Sequence, residues 1–152
     1  MPKRRIAILT TWFPPTSGVA VNRMVAFSKY LSSDFDIEVF TVGDKSLSSS
    51  TEFGRLEYVQ LRSFWASLNH KSSDNRVLHN IKTIINIIFS YLSISKLNSW
   101  EKKAFRKLEE RHSLLPFDAV ISSYAPIEVH NVAYRFKKQN PKLRWVADMR
   151  DE

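Results

Sequence analysis

Two near-continuous apolar runs, RIAILT (Arg5 to Thr10) and IEVFTV (Ile37 to Val42), flank a stretch in which Val21, Met24, Val25, Phe27, Ser28 and Leu31 recur at helical spacing. Strands that carry apolar residues on both faces are covered on both sides, as in parallel sheets. A parallel pair needs a crossover between its strands, and a helix lies between these two. The chain therefore opens with a β-α-β unit, whose crossover is right-handed.

The alternation continues. After a polar break, GDKSLSSSTEFG, the segment from Glu57 to Ser63 reads as a third strand, followed by a loop, SFWASLNHKSSDN. Arg76 to Ser95 and Asn98 to His112 read as helices, the second with Asn98 or Ser99 at its N-cap. Asp118 to Ser123 is a strand, Pro126 and Glu128 open a helix that runs to Lys138, and Leu143 to Asp148 is the last strand. The order β-α-β-β-α-α-β-α-β predicts an α/β fold, a Rossmann-like, doubly wound, mostly parallel sheet in a single domain. No internal repeat is present.

At 152 residues and 43% hydrophobic content the chain is large enough for one real core. It has no cysteine, which excludes disulfides, thiolate nucleophiles and zinc–thiolate sites and favours a reducing cytosol. The start, MPKRRIAILTTWF, is basic, but its apolar run is short and meets Pro14 and Pro15, so it reads as a strand and not a signal peptide. A net charge of +8 draws the protein towards phosphates or anionic lipid, or is simply the charge of a soluble basic domain. No recognition motif accompanies it, and nucleic acid is not an expected partner.

In doubly wound sheets, ligands sit beyond the carboxyl ends of the strands. Three loops share that edge here: TTWFPPTSG, SSYAP and MRDE. Gly18 stands where the first loop enters its helix. Without a Cβ it lets backbone N–H groups approach an anion at the positive helix end, or it merely relieves a tight turn. Neither G-x-G-x-x-G nor a P-loop is present. The four histidines, His70, His79, His112 and His130, lack metal-ligand spacing, and no metal or other cofactor is expected.

The stretch ILTTWFPPTSGVAVNRMVAFSKYL followed by DIEVFTV resembles the opening of bacterial family 4 glycosyltransferases, in which a strand, an F-P-P loop, glycine, arginine and a "kyL" helix recur in that order. DAVISSYAPIEVHNVAYRFKK and LRWVADMRDE are similar to that family's later strand, Ser-Pro-Pro loop, histidine-bearing helix and closing ADFRDPW segment, and Trp100 resembles a tryptophan ahead of that strand. The likeness covers Ile6 to Val42 and Trp100 to Glu152. It departs where one glycine replaces two, where Tyr124 and Ala125 replace Ser-Pro, and at Glu152, where the family continues into a second domain.

The resemblance implies the N-terminal, acceptor-side domain of a GT-B enzyme, with a C-terminal donor-binding domain absent. Such enzymes transfer sugar from a nucleotide-sugar donor, as substrate, to a saccharide or lipid-linked acceptor in cell-surface polysaccharide synthesis, with retention and without a dedicated protein nucleophile. Catalysis then rests on positioning and on stabilising charge at the leaving diphosphate. Carried over by position, Ser17, Gly18 and Arg23 face the donor phosphates, although Arg23 has a structural pairing as its alternative. His130, Asp148, Arg150 and Asp151 are the candidates for catalysis, with a structural hydrogen bond or the domain-linking segment as alternatives. Tyr124, with Lys82, Ile87 and Tyr91, is assigned to the acceptor or membrane face.

The competing function is a non-catalytic membrane-surface or partner-binding module. In VLHNIKTIINIIFSYLSIS the stretch Thr83 to Ser95 carries no charge, and His79, Lys82, Thr83, Asn86, Ser90 and Ser93 form one polar strip. Its length, about 20 Å, is short of a bilayer core of roughly 30 Å. It lies either in the sheet's core packing or in a membrane interface, with Lys71, Arg76, Lys82, Lys96, Lys102 and Lys103 on anionic headgroups. The expected location is cytoplasmic, with peripheral attachment to the inner face of the cell membrane.

Overall fold

The computed structural model describes residues 3–14, 17–43, 49–51, 54–59, 98–123 and 126–149. Along the chain these form β1 (Arg4–Leu9), α1 (Val19–Leu31), β2 (Phe35–Val42), β3 (Ser49–Thr51) and β4 (Gly54–Val59). The helix α2 (Asn98–Leu114), strand β5 (Ala119–Ser123), helix α3 (Ile127–Gln139) and strand β6 (Arg144–Asp148) follow. The strand order is β3-β4-β2-β1-β5-β6. Five of these strands are mutually parallel, and β3 alone runs antiparallel, against β4.

Burial explains this layering. Ala7, Ile8 and Leu9 have no exposed surface. Ala7 and Leu9, with Phe40 and Val120, face α2 and α3, where Trp100, Leu108, Val129 and Phe136 complete one core. Ile6 and Ile8, with Ile37, Val39 and Ile121, face Met24 of α1 and Phe13 of the first loop. The doubly wound, mostly parallel α/β sheet predicted from the apolar runs is thus the observed one.

Two elements differ from the sequence reading. The polar break contains β3, a three-residue strand with no apolar residue to signal it. The third predicted strand begins three residues earlier than Glu57, at Gly54. Gly54 has φ +136°, and a Cβ there would run into the Ile37 carbonyl, so a residue that reads as a break is what allows β4 to approach β2. The proposed helix from Arg76 to Ser95 lies outside the described residues.

The amino edge of the sheet is closed by a buried charge network. Arg5 Nη2 donates to Glu38 Oε2 at 2.7 Å and its Nε to Asp36 Oδ2 at 3.1 Å. Arg111, from the last turn of α2, reaches Glu38 Oε1 at 2.5 Å. Arg5 also donates to the Leu115 carbonyl and stacks 4.4 Å over the Phe117 ring. Asp118 accepts from the Arg5 backbone N–H at 2.8 Å, and its own N–H donates to the Arg5 carbonyl at 2.8 Å. These bonds tie β1, β2, the end of α2 and the entry to β5 together.

Glu38 has a side chain only 3% exposed and compensates two guanidinium groups. Removing one partner of a buried pair leaves the other charge stranded, at a cost of about 3–5 kcal/mol. Glu38→Ala is expected to lose about that much unfolding free energy in urea titration. A loss within the range of a surface substitution, about 0.5 kcal/mol, would show that the network does not hold this edge.

Candidate functional site

The carboxyl edge is assembled from the loop after β1, the end of β5 with the start of α3, and the end of β6. Gly18 is the N-cap of α1, at φ +145° and ψ 168°, a conformation that side-chain-bearing residues rarely adopt. A Cβ built on it meets nothing within 4 Å. The glycine therefore serves the backbone angle and leaves open space above it; no tight packing demands it. No side chain caps α1, and its first turn holds no acidic residue. Its first helical bond, Asn22 N–H to the Gly18 carbonyl at 3.0 Å, leaves the preceding N–H groups outside the helical ladder. Ser17 and Val19 beside it are exposed. The first loop thus presents a positive helix end to solvent.

Two consecutive serines end β5, and their side chains leave on opposite faces. Ser123 Oγ donates to Asp148 Oδ2 at 2.9 Å on the face that carries α1. Asp148 Oδ1 accepts from Arg23 Nη2 at 2.7 Å. Ser122 Oγ lies 2.7 Å from His130 Nδ1 on the other face and accepts from Trp145 Nε1 at 2.8 Å. His130 is 5% exposed, and its ring lies tilted at 6.5 Å from that of Trp145.

The structure therefore brings Arg23 and Asp148 into contact, with His130 within Asp148's electrostatic reach. Burial holds the His130 imidazole below its ordinary pKa of 6.5, partly offset by the nearby Asp148 carboxylate. Ser122, Ser123 and Trp145 are the connecting residues that sequence reasoning did not single out. Their side chains have no motif of their own; adjacent serines at a strand end give the only hint. Arg150, Asp151, Tyr124, Lys82, Ile87 and Tyr91 lie outside the described residues. Among the described residues no group of His, Asp and Glu is arranged to hold a metal. No helix among them is long and apolar enough to cross a membrane.

A cleft of about 850 Å³ opens at the opposite, amino edge, lined by Arg4, Phe35, His112, Asp118, Asn140 and Arg144 among others. Its size does not make it the site. The carboxyl-terminal ends of α2 and α3 meet there, and those ends carry partial negative charge. His112 serves the fold: its Nδ1 accepts from the Phe117 N–H at 3.0 Å. Burial, and secondarily Arg5, keep its pKa low as well.

No family profile matches the sequence, and no curated protein matches it. Among solved structures the chain is similar to sucrose-phosphate synthase from Thermosynechococcus elongatus, with a TM-score of 0.53 at 11% sequence identity. The match covers 95% of this chain and 32% of that one. The likeness is one of fold: the five parallel strands and three helices of the described residues match a Rossmann-like half of the GT-B fold.

Two outcomes follow from the histidines and Asp148. Unfolded, each imidazole binds its proton near pH 6.5; folded, His112 and His130 do so only at lower pH. The unfolded chain then holds more protons, so stability is full above pH 6.5 and falls as pH drops towards the depressed folded values. Urea midpoints are expected to fall between about pH 7.5 and about pH 5.5, less steeply in a variant lacking either imidazole. Asp148→Asn removes the carboxylate that holds His130 up, so its pKa falls further in an NMR titration. Because Arg23 is largely exposed, the same variant costs at most about 1 kcal/mol.

Proposed function

We propose that this chain is the N-terminal, acceptor-side domain of a retaining glycosyltransferase of the family 4 type. Its substrates are a nucleotide-sugar donor and a saccharide or lipid-linked acceptor in cell-surface polysaccharide synthesis. The observation that carries the reading is Gly18: a positive-φ glycine with open space above it, at the uncapped N-terminus of α1, on the carboxyl edge of a GT-B-like half. Phosphate oxygens are the groups that such an end receives best, because fixed N–H dipoles meet negative charge there without rearranging.

In this reading the leaving diphosphate lies against Ser17 and Gly18, and α1 stabilises the charge that develops on it. Arg23 acts through its pair with Asp148, which orders the end of β6 beside α1. His130, on α3, is the catalytic candidate in this reading. A second domain supplies the remaining donor contacts; the match to 32% of the sucrose-phosphate synthase chain supports a half-site here. An anionic membrane surface is the proposed partner for lipid-linked acceptors, with attachment at the inner face of the cell membrane.

Gly18→Val tests the site. The β-branched side chain occupies the open space and resists positive φ, which costs about 1–3 kcal/mol of stability. The domain is expected to stay folded in thermal unfolding while nucleoside-diphosphate binding weakens by at least about tenfold, equal to 1.4 kcal/mol. Unchanged binding in a folded variant contradicts the phosphate role of the first loop. Purified alone, the 152-residue chain is expected not to transfer sugar; robust turnover of a nucleotide sugar by it overturns the half-site.

A further inference from the structure

We propose that the amino-edge cleft is a second binding site that takes one amphipathic acid, its single acidic head held by Arg4, Arg144 and Lys142 and its hydrocarbon body laid on an apolar floor. The cleft lies on the edge away from the donor site proposed above, and its ligand does not depend on that reading.

The register of the sheet places the partners of the head. Arg4 pairs with Phe35 of β2, Ile6 with Ala119 of β5, and Ala119 with Arg144 of β6. Side chains alternate along a strand, so Arg4, Phe35, Ile6, Ala119 and Arg144 share one face. The two arginines stand on either side of β5, about 10 Å apart across the sheet and about 7 Å along it. Ile6 and Ala119 lie between them, Phe35 lies beside Arg4, and all line the cleft. Arg4, Arg144 and Lys142, in the turn before β6, are exposed. Among the described residues Arg5, Arg23, Lys107, Arg111 and Arg135 are engaged in ion pairs, whereas the side chains of Arg4, Lys142 and Arg144 enter no ion pair or hydrogen bond. Against these three cations the lining holds one carboxylate, Asp118, whose Oδ2 already accepts from the Arg5 N–H.

His112 adds a neutral donor. The Phe117 backbone N–H can only donate, so the His112 Nδ1 that accepts from it at 3.0 Å is bare and the imidazole proton resides on Nε2. Burial, and secondarily Arg5, hold the ring uncharged. The ring lines the cleft, and its Nε2 has no hydrogen-bond partner among the described residues and is not sealed from solvent.

The carbonyl ends of α2 and α3 are largely met from within. Asn140 donates to the Phe136 carbonyl through both its backbone N–H and its Nδ2, at 3.0 Å each. Lys137 Nζ donates to the Pro141 and Leu143 carbonyls, and Arg5 to that of Leu115. The field that remains, together with Asp118, opposes a densely charged group such as a nucleoside diphosphate and leaves room for one carboxylate between the cations. Phe117 and Leu143 extend the apolar lining, and a volume of about 850 Å³ with a few polar groups at its rim is that of a small-molecule site.

The test is a titration of the 15N-labelled chain with octanoate at neutral pH, followed by backbone amide shifts. Saturable shifts are expected at Ile6, Ala119, Leu143 and Arg144. Decanoate is expected to bind roughly tenfold more tightly, because two further methylenes leave water. Octanol, which lacks the acid, and inorganic phosphate, which lacks the body, are each expected to bind at least about tenfold more weakly than octanoate. The double variant Arg4→Gln with Arg144→Gln strands no partner, so it is expected to keep its thermal midpoint while octanoate binding weakens at least about tenfold. Arg144→Gln alone carries the test if the double variant does not fold. No saturable shift with millimolar octanoate, equal binding of octanol, or unchanged binding in a folded variant overturns the site. Shifts that appear only with phosphatidylglycerol vesicles overturn it too, since they mark a flat membrane contact and no pocket.

Discussion

A central strand buried from Arg5 to Leu9 dictates most of this molecule. Ala7, Ile8 and Leu9 of β1 are completely buried, which requires a neighbouring strand on each side and a helical layer on each face. Because β2 and β5 both run parallel to β1, the chain has to return between strands through helices. The carboxyl ends of the five parallel strands then fall on one edge. The loop after β1, the end of β5 and the end of β6 become neighbours although Arg23 and Asp148 are 125 residues apart in sequence.

The two edges of the sheet have separate work. At the amino edge, Arg5, Glu38 and Arg111 bind three elements into a buried network, and the carbonyl ends of α2 and α3 face the large cleft. At the carboxyl edge, the amino ends of α1 and α3 face outward without side-chain caps, and the polar residues are paired in twos and threes around the tandem serines. Helix polarity thus separates the fold-holding edge from the one whose helix ends are able to receive an anion.

The strands legible in the sequence are those whose burial on both faces leaves an unbroken apolar run, as in Ile37 to Val42. The strand β3 was invisible because Ser49, Ser50 and Thr51 form no apolar pattern, and its pairing to β4 is a backbone matter. Gly54 misled in the opposite direction: a glycine signals a break, yet here it opens β4 where the strand approaches Ile37. At the site, Gly18 was legible because a lone glycine at a loop-to-helix junction has few uses. The Ser122–His130–Trp145 cluster was not, because it depends on the register that sets β5 beside β6 and on which face each serine takes. Periodicity carries burial well and carries side-chain pairing between distant segments poorly.

The central claim is that the carboxyl edge, at the amino end of α1, receives the donor's diphosphate. A titration of the 15N-labelled chain with a nucleoside diphosphate, followed by backbone amide shifts, reads this residue by residue. The account predicts saturable shifts concentrated at Ser17 to Val21, with none at Lys142 and Arg144 beside the amino-edge cleft. Shifts centred on that cleft, or no shift at Gly18 up to millimolar nucleotide, would contradict it.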